Sequence, residues 1–96
     1  MIEVRETQMY TLWFRKLRDR QAKARILARI RRLSLGNPGD IRSLGEGVLE
    51  LKIDYGPGYR IYYKQREKTL VILLAGGDKR TQQQDIEKAK NLSRRL

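Results

Sequence analysis

Apolar residues recur at helical spacing through the first third of the chain. In the first predicted helix, which Thr7 can cap at its N-terminus, the apolar side is formed by Tyr10, Trp13, Phe14 and Leu17. Asp19 then breaks or re-caps the chain, and a second apolar stripe follows at Ala22, Ile26, Ile30 and Leu33. Gly36-Asn37-Pro38-Gly39 ends this second helix, because Gly permits a left-handed C-cap and Pro cannot continue a helix. The pattern therefore predicts two amphipathic helices.

Between Gly47 and Arg80 the pattern changes to alternation, which predicts three consecutive strands. In the first two of these strands the polar side chains share one face, namely Glu50, Lys52, Arg60, Tyr62 and Lys64. The opposite face is apolar and must face a core. We therefore expect a compact polar cluster on the open face of an antiparallel pair of strands, which residues 54 to 58 connect.

The ends of the chain add weaker elements. Met1 to Val4 alternates weakly, as in a short strand, and Thr81 to Arg95 has Ile86, Ala89 and then Leu92 or Ser93 at helical spacing. The 96 residues leave room for a single domain, 1–96, with one modest core. We expect an α+β fold: a twisted antiparallel sheet of about four strands, two N-terminal helices on one face and a short C-terminal helix. Alternation alone also permits a three-stranded meander.

The composition of the chain limits the partners and the kinds of catalysis that are possible for it. The formal net charge is +11 and the isoelectric point is about 10.5, values that favour RNA, DNA or an acidic protein segment as partner, or else a merely solvated basic surface. Cysteine and histidine are absent, which excludes disulfides, Cys/His zinc sites, thiol nucleophiles and Ser-His-Asp catalysis. We expect no metal and no cofactor. The longest apolar run, Leu70 to Ala75, is too short for a membrane span, and no signal pattern is seen, so a cytoplasmic protein is expected.

The positive charge is concentrated in the helices. Residues 1 to 35 hold 10 Lys/Arg and 3 Asp/Glu, and residues 36 to 96 hold 12 and 8. The basic residues of the second helix are either a solvated face or a phosphate-contacting stripe: Arg20, Lys23, Arg25, Arg29, Arg31 and Arg32. We interpret Trp13 as a core residue rather than a base-stacking platform. For Tyr62, stacking on a base, orienting a ribose and a purely structural role all remain open.

Three segments carry a family resemblance: the strand Glu50-Leu51-Lys52, the Gly58-Tyr59-Arg60 that begins the next strand, and Gly77-Asp78-Lys79-Arg80 after the last one. With the order of elements, they resemble the RelE/ParE toxin superfamily, and more narrowly its HigB-like "addiction module killer" members. The resemblance implies a RelE-like fold over nearly the whole chain. It also implies one of two activities, cleavage of mRNA in the ribosomal A site or poisoning of DNA gyrase. A non-catalytic basic RNA-binding module is a third reading.

Carried over by position, the resemblance implies a catalytic set of Arg60, Lys52, Glu50 and Lys79, with RNA-binding roles for Tyr62, Lys64 and Arg80. Arg60 falls on the transition-state arginine, and Glu50 stands where RelE is basic but a glutamate base is proposed in other nuclease members. The chemistry implied is metal-free ribonuclease cleavage to a 2',3'-cyclic phosphate. A tyrosine of the RelE C-terminal helix has no counterpart, since Asp85 and Ile86 occupy that region.

The resemblance also implies partners. A co-expressed antitoxin of the helix-turn-helix, HigA-like type would hold the toxin inactive and would alone contact operator DNA, while the ribosome and mRNA would be the targets of the free toxin. We expect an acidic antitoxin segment to dock either around Arg60 and Lys79 or on the basic stripe from Arg20 to Arg32. No membrane partner is expected.

Overall fold

The computed structural model describes all residues from 1 to 96. Its elements in chain order are β1 (Glu3–Glu6), α1 (Gln8–Lys16), α2 (Arg20–Ser34), β2 (Ile41–Ser43), β3 (Val48–Ile53), β4 (Tyr59–Arg66), β5 (Leu70–Asp78) and α3 (Gln82–Arg94), with a 3-10 turn at Lys79–Thr81 between the last two. None of the α-helices combines the length and apolarity that would let it span a bilayer.

The strands form one five-stranded sheet in the order β1-β5-β4-β3-β2. The α+β class is confirmed, and the first strand joins the sheet beside the last one. Two details differ from the expectation. β1 runs parallel to β5, so the sheet is mixed, and β2 adds a strand in a segment that was expected to be a loop. β2 has only three residues, all exposed. Its sequence therefore lacks the alternation of buried and exposed residues that would predict a strand.

Helices α1 and α2 pack on one face of the sheet, over the larger core cluster. Both expected caps are present: the Thr7 hydroxyl accepts from the Tyr10 amide at 3.2 Å, and Asp19 accepts from the amides of Gln21 and Ala22. The Thr7 hydroxyl also donates to the Leu74 carbonyl at 2.7 Å. It therefore anchors the start of α1 directly on β5. Trp13 packs against the same core, which confirms its interpretation as a core residue.

Helix α3 packs on the opposite face and covers the part of the polar face that was expected to be open. Beneath it lies a second buried cluster: Val48, Tyr62, Ile72, Leu74, Ala75 and Ala89. Tyr62 is 0% exposed, so its expected place on an open RNA-facing surface is wrong. The Lys64 ammonium donates to the Ser93 carbonyl at 3.2 Å, where a cation satisfies a carbonyl near the end of a helix. Lys64 therefore links α3 to the sheet. Its ammonium group is engaged with a carbonyl instead of being free to contact RNA, as was predicted for it.

Two adjacent glycines let both layers approach β5 closely. A Cβ atom added to Gly76 would collide with the Trp13 ring, and one added to Gly77 would collide with a carboxylate oxygen of Asp85. The Asp85 carboxylate in turn accepts from the Thr81 hydroxyl at 2.5 Å. The close approach of Asp85 to Gly77 holds the first turn of α3 against β5, which places the residues at that end of the helix next to the uncovered polar face.

Candidate functional site

The end of the polar face that α3 leaves uncovered forms a hollow of about 360 Å³, which we call the Arg60 hollow. Its walls are Asp40, Ile41, Arg42, Glu50, Lys52, Arg60 and Gln82. Strand register brings them together, because Lys52 lies opposite Arg60 and Glu50 lies opposite Arg42 across the neighbouring strands. The predicted residues Glu50, Lys52 and Arg60 therefore share one site.

Arg60 is fixed in place and keeps an unused donor. It is only 6% exposed, and its Nη1 donates to the Gly58 carbonyl at 2.7 Å. Its Nε lies 3.8 Å from Glu50 Oε1 and has no hydrogen-bond partner. A buried donor without a partner carries a free-energy cost that a bound acceptor would remove. A phosphate oxygen is an acceptor whose geometry suits a guanidinium.

Glu50 is 4% exposed and is held by polar neighbours on both sides. Its Oε2 accepts from Gln82 Nε2 at 2.8 Å and from Arg42 Nη2 at 3.4 Å, and its Oε1 lies 3.3 Å from the same Arg42 nitrogen. A buried carboxylate persists only when it is paired and hydrogen-bonded in this way. The result is a proton acceptor with a defined orientation beside Arg60.

Lys52 contributes a positive charge that has no ion-pair partner to the Arg60 hollow. It is exposed and makes no ion pair, and it lies directly across the strand pair from Arg60. Two cations opposite each other on a sheet repel one another. An anion bound between Lys52 and Arg60 would relieve that repulsion, so this pair favours occupation by phosphate.

Lys79 and Arg80 line a second hollow that adjoins the first. Its volume is about 400 Å³ and its walls are Arg42, Lys79, Arg80, Gln82, Gln83 and Ile86; we call it the Lys79 hollow. Arg80 is paired with Asp78 through two side-chain contacts of 3.2 and 2.9 Å, and this hydrogen bonding lowers the pKa of the Asp78 carboxyl. Lys79 makes no ion pair. The predicted site is therefore divided, with Lys79 and Arg80 beside the Arg60 hollow rather than in it.

Four wall residues of the Arg60 hollow are absent from the predicted site, and two of them, Arg42 and Gln82, contact Glu50. Arg42 lies on the short, exposed strand β2, and Gln82 is the first residue of α3. The signal for Gln82 in the sequence is its place at the start of the predicted helix Thr81 to Arg95, close to the end of the last predicted strand. For Arg42 there was no signal, because its importance follows from pairing between β2 and β3.

Tyr62 lies opposite Glu50 on the neighbouring strand, in the buried cluster beneath α3. Its hydroxyl is buried without a hydrogen-bond partner. Burial, and then the negative charges of Glu50 and Asp85, raise the pKa of Tyr62 far above its ordinary value. The phenol therefore stays protonated at neutral pH, so it can donate a hydrogen bond but cannot serve as a base.

Arg29, which belongs to the basic stripe of α2, has a structural role. Arg29 donates from Nη1 to the Lys52 carbonyl at 2.6 Å, and from Nη2 to the carbonyls of Pro38 and Asp40 at 3.1 and 3.4 Å. Burial is the main cause that lowers its pKa. Arg29 thereby connects α2 to two segments that border the Arg60 hollow, so it is unavailable as a free phosphate contact.

The fold and the Arg60 hollow together define a basic α+β domain with a buried arginine and a buried carboxylate at one surface. In comparison with known proteins, residues 12–95 match the family "Phage derived protein Gp49-like (DUF891)", and the chain belongs to this family. The family is grouped with the toxins of the RelE/Gp49 type, which implies a co-expressed antitoxin. The narrower HigB-like assignment stays a prediction.

A bacterial relative covers almost the same length. An uncharacterized protein of Haemophilus influenzae is 50% identical over 95 residues, which are 99% of this chain and 96% of that protein. The similarity therefore extends over both hollows and all the elements that surround them.

Proposed function

We propose that this protein is a ribosome-dependent mRNA endonuclease that leaves 2',3'-cyclic phosphate ends. The observation that carries the proposal is the Arg60 hollow, in which a buried arginine with an unpartnered Nε lies next to a buried, oriented glutamate. Cleavage of RNA by its own 2'-hydroxyl needs a base, an acid and stabilisation of charge on phosphorus. Glu50, Lys52 and Arg60 can supply these three functions.

The steps follow from what each side chain can donate or accept. Glu50 takes the proton of the ribose 2'-hydroxyl as the hydroxyl oxygen attacks the adjacent phosphorus. Arg60 stabilises the additional negative charge on the pentavalent phosphate, and it cannot be the base because a guanidinium offers hydrogen-bond donors and no acceptor. The bond between phosphorus and the 5'-oxygen then breaks, and that oxygen receives a proton from Lys52. Solvent returns Glu50 and Lys52 to their starting states, so the reaction needs no further reactant.

Control by an antitoxin is part of the proposal. The two hollows together present the side chains of Arg42, Lys52, Lys79 and Arg80 at or near the surface, and an acidic segment of a helix-turn-helix, HigA-like partner would neutralise them. Arg29 is engaged with backbone carbonyls. Docking on the helix stripe would therefore have to rely on its other basic residues, Arg20, Lys23, Arg25, Arg31 and Arg32.

Primer extension on mRNA from cells that express the protein tests the proposal. We expect new 5' ends within coding regions, at positions in register with codons, and only while those messages are translated. In parallel, purified gyrase should keep its supercoiling activity when the protein is added in equal amount. Inhibition of gyrase at that ratio, with no new mRNA ends, would favour the gyrase-poisoning branch of the superfamily instead.

A further inference from the structure

We propose that the Lys79 hollow is a second nucleotide subsite that selects the base of the nucleotide preceding the one whose 3'-phosphate is cleaved. Arg42 binds the phosphate between these two nucleotides, and Arg60 holds the cleaved phosphate. The inference rests on the proposed endonuclease function and specifies its substrate. The Arg60 and Lys79 hollows share two wall residues, Arg42 and Gln82. At about 360 and 400 Å³, each is at the lower end of the range for small-ligand sites.

Arg42 has the geometry that a shared phosphate contact requires. Its side chain is 60% exposed, whereas the Glu50 side chain that it contacts is 5% exposed. Only Nη2 is engaged with Glu50. The Nε and Nη1 groups remain available, so Arg42 can donate to a phosphate without releasing Glu50. Arg60, in contrast, is buried and fixed by Gly58.

The Lys79 hollow differs chemically from its neighbour. No carboxylate lines it, so it contains no base for the cleavage reaction. It instead combines an apolar side chain, Ile86, with the side-chain amides of Gln82 and Gln83. Gln82 uses its Nε2 on Glu50 and keeps its Oε1 free, while Gln83 is exposed and makes no hydrogen bond. An apolar wall suits the face of a base, and amides that donate and accept can read its edge.

Binding of 2'-O-methyl nucleotides tests the inference, because these ligands lack the attacking hydroxyl and are not cleaved. Titrations of the isotope-labelled protein, followed by NMR, would compare a mononucleotide 3'-phosphate with dinucleotides that also end in a 3'-phosphate, so that the dinucleotides differ by one phosphate and one base. We expect about tenfold tighter binding of the dinucleotide, the gain of one charge-assisted contact, with shifts of the Gln83 side-chain amide that the mononucleotide does not cause. Equal affinities for the two ligands would overturn the inference.

Two variants with matched controls assign the contacts. Arg42→Ala should remove the affinity gain of the dinucleotide, whereas Arg66→Ala, at the exposed end of β4, should leave it intact. Among dinucleotides that differ in the base of the preceding nucleotide, we expect a spread in affinity of at least about threefold. Gln83→Leu should abolish that spread, and Gln84→Leu, next to it but outside the hollow, should preserve it. An unchanged spread in Gln83→Leu would contradict the assignment of the base subsite.

The outcomes separate this inference from the proposed function. If the protein cleaves mRNA but shows no preference for the dinucleotide, the proposed base subsite is wrong and the proposed endonuclease function is retained. A preference for the dinucleotide that disappears in Arg42→Ala, in a protein that never cleaves translated mRNA, would instead overturn the endonuclease.

Discussion

Replacing Arg60 with alanine is expected to abolish growth arrest in cells that express the protein. The guanidinium of Arg60 is the one buried cation of the Arg60 hollow, and its Nε lies 3.8 Å from Glu50 Oε1 without a hydrogen-bond partner. Loss of a donor that stabilises charge in a transition state lowers kcat by about 10²–10³-fold. We expect a reduction at least that large in the cleavage of translated mRNA, measured as the appearance of new RNA ends over time.

Arg66→Ala is the matched control for Arg60→Ala. Both arginines lie on β4, but Arg66 is exposed and outside the hollow, so its loss should leave growth arrest unchanged. Arg60→Lys keeps the charge but loses the planar fork, and we expect it to recover only a small part of the activity. Circular dichroism and thermal unfolding would show that the variants are folded. A folded Arg60→Ala protein as toxic as the parent would contradict the assignment of the site.

Replacing Glu50 with glutamine is expected to separate binding from chemistry. The amide keeps the shape of the side chain and an oxygen acceptor for Gln82 and Arg42, but it cannot take a proton at neutral pH. Removal of a general base costs about 10²–10⁴-fold in rate. Affinity for an uncleavable oligonucleotide should be retained or increased, because a negative charge is removed from a phosphate-binding hollow.

Glu46→Gln is the control for Glu50→Gln. Glu46 pairs with Lys90 and Arg94 near the far end of α3, and its replacement should leave the cleavage rate unchanged. A full cleavage rate in Glu50→Gln would exclude Glu50 as the base. A parallel loss of RNA affinity would indicate instead that Glu50 serves to position Arg42 and Arg60.

Much of this site could be predicted from the order of residues along the strands. Alternation alone places Glu50, Lys52 and Arg60 on one face, and the pairing of β3 with β4 confirms that they meet. The helix caps at Thr7 and Asp19 were also predictable, because a cap depends on local hydrogen bonds between neighbouring residues. These features depend on contacts within one strand pair or one helical turn.

The position of α3 could not be predicted in the same way. Its weak stripe of Ile86, Ala89 and Leu92 indicates a helix with one buried side, but it does not indicate which face of the sheet that side covers. For this reason the alternation pattern places Tyr62 on the open face and leaves its role open, whereas it lies in the core beneath α3. Arg42 and Gln82 were missed because contacts between distant elements bring them to Glu50.

Analysis of the RNA ends made in a purified translation system tests the central claim most directly. We predict that the parent protein cleaves a defined message on translating ribosomes. The upstream fragments should end in a 2',3'-cyclic phosphate, and the downstream fragments should begin with a 5'-hydroxyl. The same fragments should be lacking with Arg60→Ala and present with Arg66→Ala. An intact message in the presence of the parent protein, or fragments carrying a 5'-phosphate, would contradict the proposed attack by the 2'-hydroxyl in the Arg60 hollow.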